Sequence, residues 1–333
     1  MVKNDAASAE VIPLATGRVR RSRRVSSAPA GTPLPAMIDS FELWLMSKNY
    51  SENTRLAYLG AARMFTEFLV AQALPCDTEG VKPEHVRLFL VAQQKRASAL
   101  TVSHYHQRLQ AWFTWMEGEG ERTESTCPVL MADKPTFPTK VKIPLTEEEL
   151  ARLLATCKGN SFLDRRDTAI LRVLMDNGVR VSGLTGLHLD HVDLRGKTLK
   201  IILKGGDEHL APIGARTVAA LDRYLRVRAR HPLAELPYLW LAERGPNPTV
   251  GLTRSGVQYL LEQRGKQAGV ANVHPHRFRA TATHHLLAAG GGESDVQRIM
   301  GWKTQSMVQH YSAGLAHERA RAAHAGLSLS DRL

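Results

Sequence analysis

Residues 274–311 read HPHRFRATATHHLLAAGGGESDVQRIMGWKTQSMVQHY, and this stretch decides how the rest of the chain is read. Pro275 can open a helix. On that helix His276 and Arg279, three positions apart, share one face. A guanidinium offers a planar fork of donors that matches phosphate oxygens in pairs, and an imidazole passes a proton near neutral pH. Trp302 follows a glycine and brings an indole N–H donor. Tyr311, nine positions beyond Trp302, carries a phenol that can act as a nucleophile. Singly, each residue has an ordinary use, as a solvated helix face, a core plug or a packing ring. In this order they suit attack on a phosphodiester.

The composition agrees with a polyanionic partner. The chain has 333 residues, 44 basic against 32 acidic, for a net charge of +12. That length accommodates two domains, and that charge favours nucleic acid. The three cysteines, Cys76, Cys127 and Cys157, are far apart. They form no Cys-x-x-Cys, which argues against a disulfide framework or a cysteine zinc site and fits a reducing cytoplasm. No apolar run approaches the roughly 18 residues that span a bilayer, and the N-terminus lacks a signal core. Residues 1–33, with the basic run ATGRVRRSRRV at 15–25, are expected to be a disordered basic arm.

Upstream, apolar spacing predicts four helices in residues 34–126. The first covers Ala36 to Lys48. The second follows an N-cap at Ser51, the third opens at Pro83, and the fourth runs from Ser98 to Glu117. The fourth has an apolar stripe of Val102, Tyr105, Leu109, Trp112, Phe113 and Met116. Its other face shows His104, His106, Gln107 and Arg108, read as a DNA-contacting surface. Residues 127–144 hold four prolines together with Lys134, Lys140 and Lys142. Prolines deny helix, so this segment reads as an extended linker, its lysines Lys140 and Lys142 placed to meet DNA backbone.

Thr146 and Glu149 form a capping box that starts the second domain, residues 145–315. A helix from Asp164 to Asp176 stops at Asn177-Gly178. Short β-type runs near Val192, Thr198–Leu203 and His209–Ile213 are parted by turn residues and predict a small antiparallel sheet with Lys204 at a hairpin tip. Helices resume at 215–230, 253–268, 275–289, 294–300 and 305–311.

Four motifs in this order resemble the tyrosine recombinase, or phage integrase, family. They are Gly178-x-Arg180-x-Ser182, Leu203-Lys204-Gly205, His276-Arg277-Phe278-Arg279, and Gly301-Trp302 with Tyr311. The likeness covers roughly residues 34–315. It implies a mainly α fold: a four-helix, SAM-like core-binding domain, then a mostly helical catalytic domain with a small antiparallel sheet. It implies that Arg180 and Arg279 clamp the scissile phosphate and that Tyr311 attacks it. His276 would accept a proton, Lys204 would protonate the departing 5′ oxygen, and Trp302 would donate to phosphate or support the tyrosine. The ester stores the bond energy, so neither cofactor nor metal is expected. Further implications are double-stranded DNA sites as partners and a homotetramer on synapsed DNA formed from monomers. The tail, residues 316–333, would dock on a neighbouring subunit, and accessory bending or directionality proteins could take part. No membrane partner is expected, and the setting would be cytoplasmic and nucleoid-associated, prokaryotic or phage-encoded.

One departure is Gly183, where relatives carry a carboxylate. Either activity is weakened, or another acid such as Asp190 substitutes. Competing classes are a recombinase-derived DNA-binding protein, a type IB topoisomerase-like enzyme, and a metal-dependent nuclease built on His274, His276, His284 and His285.

Overall fold

The computed structural model of the protein describes residues 31–122, 127–136, 143–203, 205–243 and 251–308, with single residues at 321, 324 and 330. The chain divides into two compact units, Met1–Thr139 and Lys140–Leu333. Among the described residues no helix is long and apolar enough to cross a membrane.

The first unit packs α1 (Leu34–Ser47), α2 (Glu52–Ala71), α3 (Pro83–Gln94) and α4 (Ala99–Gly118). Their apolar stripes meet in an aromatic core of Phe41, Phe65, Phe89, Trp112 and Phe113, all fully buried. Rings meet edge to face, as Phe65 and Phe89 do at 5.2 Å, the arrangement that ring quadrupoles favour. The Ser98 side chain caps α4 through the Thr101 N–H at 3.2 Å. Ser51 holds the N-cap position of α2, but its hydroxyl pairs with Thr54 Oγ1 instead of the backbone.

Two expectations for this unit are corrected. His106 is fully buried, and its Nε2 lies 2.8 Å from the Leu130 carbonyl. It stands four residues after Val102 and three before Leu109, so it belongs to the core stripe. It is not available to DNA. The segment expected to be a linker from residue 127 starts inside this unit. Val129 is buried, Cys127 packs on the aromatic core, and Asp133 pairs with Arg87 at 2.8 Å. Proline interrupts a helix but does not prevent burial. Lys140 and Lys142 lie outside the described residues.

The second unit holds α5 (Glu147–Ala155), α6 (Phe162–Asn177), α7 (Val181–Thr185), β1 (Val192–Asp193), β2 (Thr198–Ile202) and β3 (Glu208–Pro212). After the sheet come α8 (Ala215–Arg228), α9 (Arg254–Ala268), α10 (Pro275–Ala288) and α11 (Glu293–Ile299). The capping box before α5 forms as expected, with Thr146 N–H donating to Glu149 Oε2 at 3.0 Å and Glu149 N–H to Thr146 Oγ1 at 3.2 Å. The sheet is antiparallel in the order β1-β2-β3, and its register sets Ile201 opposite His209. Helix α6 runs through the middle of the core, its Ile170, Leu171 and Leu174 buried in one cluster with Leu221 and Tyr224 of α8 and Phe278 of α10.

Helix α6 ends at Gly178, whose φ of +51° lies in the left-handed region. A Cβ there would stand 2.7 Å from the Cα of Arg279. The glycine therefore serves twice, once for the turn and once for the backbone approach of α6 to α10. Arg277 latches the start of α10 to α5. It donates to the Ile143 carbonyl at 3.1 Å and to Glu149 Oε2 at 3.1 Å.

Candidate active site

Just past Gly178 the chain turns into α7, a helix too short for its periodicity to show in the sequence. Arg180 takes its N-cap position and is exposed. The turn is braced by Asn177, whose Oδ1 accepts the Val179 N–H at 3.2 Å while its Nδ2 donates to the Pro212 carbonyl at 3.3 Å. Arg180 thus stands where α6, α7 and β3 meet.

Arg279 reaches the same place from α10. It is 4 % exposed. Its Nη1 donates to the Gly178 carbonyl at 2.9 Å and its Nη2 to the Met300 carbonyl at 2.7 Å. The guanidinium carbon lies 4.8 Å from the Trp302 ring centroid, within range of a cation–π contact. One side chain therefore ties the turn that carries Arg180 to the turn that carries Trp302. Arg180, Arg279 and Trp302 line a cavity of about 590 Å³, whose described lining contains no carboxylate.

The remaining expected residues fall as follows. His276 is exposed on the first turn of α10 and is not part of that lining. Lys204 and Tyr311 lie outside the described residues. In the first unit, His104 and Gln107 are exposed on α4 and Arg108 is half-buried.

The cavity wall explains the glycine at 183. A Cβ on that residue would stand 2.8 Å from Cγ2 of Ile201 and 3.1 Å from Cγ2 of Val179. An aliphatic side chain from β2 occupies the room a carboxylate would need. Asp190 does not take over that place. Its side chain is 78 % exposed, and it does not line the cavity.

Residues that sequence reasoning missed are His209 and Lys303, both of which line the cavity. Lys303 Nζ pairs with Asp207 Oδ2 at 2.6 Å, and this bond and charge hold the Asp207 carboxyl below the usual carboxylate range. The basic residue directly after Gly301-Trp302 was the available signal for Lys303. His209 had none, since its contact depends on strand register.

The histidines at 274 and 285 have structural partners. His274 caps α10, its Nδ1 accepting the Arg277 N–H at 3.2 Å, and burial followed by the nearby Arg277 charge lowers its pKa. His285 Nε2 lies 3.2 Å from the Leu145 carbonyl. Elsewhere His188, Asp190 and His191 have ligand-type atoms within 4.8 Å of one another. Nδ1 of His191 accepts the His188 N–H at 3.2 Å, which leaves the proton of the neutral ring on Nε2, so His191 is not poised to ligate.

Residues 144–318 match the phage integrase family. A tyrosine recombinase XerC of Bacillus licheniformis is 30% identical over 80% of this chain and 88% of its own length. The chain belongs to the phage integrase family. A tyrosine recombinase XerD of Listeria monocytogenes is 26% identical over 82% of this chain and 92% of its own length. Among solved structures, the integrase of transposon Tn1549, in complex with circular intermediate DNA, has the same fold with a TM-score of 0.69. It covers 88% of this chain and 99% of its own at 18% identity. The chain is accordingly an enzyme of the tyrosine recombinase type, a site-specific DNA recombinase with the fold its motifs implied.

Proposed function

We propose that this recombinase breaks and rejoins duplex DNA through a 3′-phosphotyrosine on Tyr311. The observation that carries the reading is the cavity in which Arg180 and Arg279 converge with no acid among its described lining residues. Two guanidinium groups lining one cavity suit a diester whose negative charge grows in the transition state.

The Tyr311 oxygen attacks phosphorus as the bond to the 5′ oxygen breaks. A phenol of pKa about 10 is only ~0.1% ionised at neutral pH, so its proton must be taken, and His276 is the acceptor. Lys204 gives a proton to the departing 5′ oxygen. Trp302 backs the Arg279 guanidinium. Rejoining runs the same steps in reverse with a 5′ hydroxyl from a second duplex, so neither ATP nor a metal is required. Paired exchanges pass through a four-way junction in a homotetramer, with residues 316–333 docking on a neighbour. His104, Gln107 and Arg108 of α4, with Lys140 and Lys142, contact the DNA, and binding weakens steeply with salt.

A nicked suicide substrate tests this. The wild-type chain traps a covalent adduct, with or without chelator, and Tyr311→Phe binds equally well but traps none. An adduct that persists in Tyr311→Phe refutes the assignment. Ile201 in the space beside Gly183 favours a second reading, a DNA-binding member of the family with slowed catalysis. Normal site binding with no adduct from the wild-type chain would select it.

A further inference from the structure

His209 has no assigned part in the reaction, yet the structure places it beneath the turn that carries Trp302. It sits on β3 directly across from Ile201, the residue that fills the space beside Gly183. Its Nε2 lies 3.1 Å from the Ile299 carbonyl. A carbonyl only accepts, so Nε2 carries the proton and donates. The next carbonyl along, that of Met300, is the one that holds Arg279 Nη2. Gly301 follows with a φ of +62°, and a Cβ there would stand 2.9 Å from the His209 ring. The imidazole therefore packs flat against the backbone of the turn and bonds its first carbonyl. The turn is also braced from within, since Trp302 N–H donates to the Gln297 carbonyl at 3.0 Å and Gln297 Nε2 to the Trp302 carbonyl at 3.2 Å. A second tie from the same hairpin, Asp207 to Lys303 at 2.6 Å, lands just past the tryptophan.

We infer that His209 is a positioning residue: it pins the 299–302 turn to the sheet and thereby fixes both the Met300 carbonyl and the Trp302 ring that hold the Arg279 guanidinium. His209 itself touches no reacting atom. Its action runs through the phosphate clamp, so the inference rests on the reading of Arg279 given above. A shift of about 1 Å in a clamp is enough to cost on the order of a hundredfold in rate. The geometry separates two parts of the side chain. The ring supplies the platform under Gly301, and Nε2–H supplies the bond to Ile299.

The test uses the full chain and three nicked suicide substrates that differ only at the scissile phosphate. One is the ordinary diester. One is a methylphosphonate, in which a methyl replaces a non-bridging oxygen and removes the charge that the clamp meets. One carries sulfur in place of the 5′ oxygen, so the leaving thiolate needs no proton. On the diester, His209→Phe should cleave about tenfold or more slowly, while His209→Gln, which keeps an N–H donor, recovers most of the rate. On the methylphosphonate the deficit of His209→Phe should nearly vanish, as should that of Arg279→Ala measured beside it. On the sulfur substrate the deficit should remain.

If Arg279→Ala gains nothing from the methylphosphonate, the reading of the clamp fails. If Arg279→Ala gains and His209→Phe does not, the clamp stands and the inference about His209 falls. Recovery of His209→Phe on the sulfur substrate alone would also overturn it, because the histidine would then act through the leaving-group proton. Should His209→Phe not fold, His209→Leu, which also removes the Nε2–H donor but with a smaller side chain, carries the same test with the same outcomes.

Discussion

Two buried arginines in the second unit meet burial in opposite ways. Arg264 of α9 is surrounded by acids, donating to Asp167 Oδ2 at 2.9 Å and Asp164 Oδ1 at 3.1 Å and also to the Thr156 carbonyl at 2.7 Å. Desolvation pulls its pKa down, but the Asp167 and Asp164 carboxylates outweigh that, and the net shift is upward. Arg166 joins from the other side, with two bonds to Asp167 Oδ1. The charges there cancel locally, and the result is a clasp between α6 and α9. Arg279 donates to two carbonyl oxygens and lies against an indole face. These orient the guanidinium toward the cavity that Arg180 and Trp302 also line. Arg228 shows that carbonyl partners alone do not make a site. Its guanidinium donates to the Ala234, Leu236, Tyr238 and Leu239 carbonyls, and burial lowers its pKa, but it lines no described cavity. Arg279 is set apart by a cavity whose described lining holds no carboxylate, whereas Arg264 lines a cavity together with Asp164 and Asp167.

The largest effect that could break this contrast is on stability. Arg264→Met strands Asp167 and Asp164 beside Arg166 alone and should cost about 3–5 kcal/mol, read as a lower urea midpoint. Arg279→Ala gives up two bonds to carbonyl oxygens and an indole contact, so its loss of stability should be smaller. Its cleavage rate should fall by about 3–4 kcal/mol of barrier, on the scale of a lost oxyanion donor. If Arg279→Ala unfolds the chain more readily than Arg264→Met, the two arginines do not differ as described. Gly183→Asp probes whether the cavity lacks an acid by need or by packing. The new side chain collides with Ile201 and should destabilise by about 1–3 kcal/mol while slowing cleavage; faster cleavage would show that the empty position is a defect. His106→Ala should lower the first unit's stability by about 1–3 kcal/mol, whereas core-site affinity measured well below the melting temperature should hold.

The smallest effect is a pH slope. His274 and His231 are both held below the usual histidine range, each mainly by burial, with Arg277 beside the first and Arg228 and Arg166 beside the second. Their neutral forms are favoured in the fold. As pH falls through about 6.5, the unfolded chain takes up protons that the folded chain refuses, so stability drops on the acid side. Comparing urea midpoints at pH 7.5 and 5.5 measures it, and His274→Asn should flatten the slope while keeping the cap.

Much of this was legible beforehand because it is local. Helical spacing marked α1 to α6, the Thr146–Glu149 box marked the start of α5, and the four motifs marked Arg180, Arg279 and Trp302. What stayed hidden depends on neighbours far along the chain. His106 adjoins Tyr105, and one position is 100° of helix, so the edge of a buried face cannot be set by spacing alone. The proline-rich run from Cys127 shows no period, yet its Leu130 carbonyl meets His106. Whether position 183 could hold an acid depended on Ile201, a strand residue. The bond from His209 to Ile299 crosses ninety positions.

Gly178 has a consequence that reaches past the turn it shapes. Even a methyl group on that residue would press on the point from which the guanidinium arm springs, and would displace the arm without altering any atom that meets DNA. A lesion there would look kinetic, with affinity spared and turnover lost, although the altered residue carries no chemistry. The vulnerability of the proposed site therefore extends to a residue that offers it nothing but backbone.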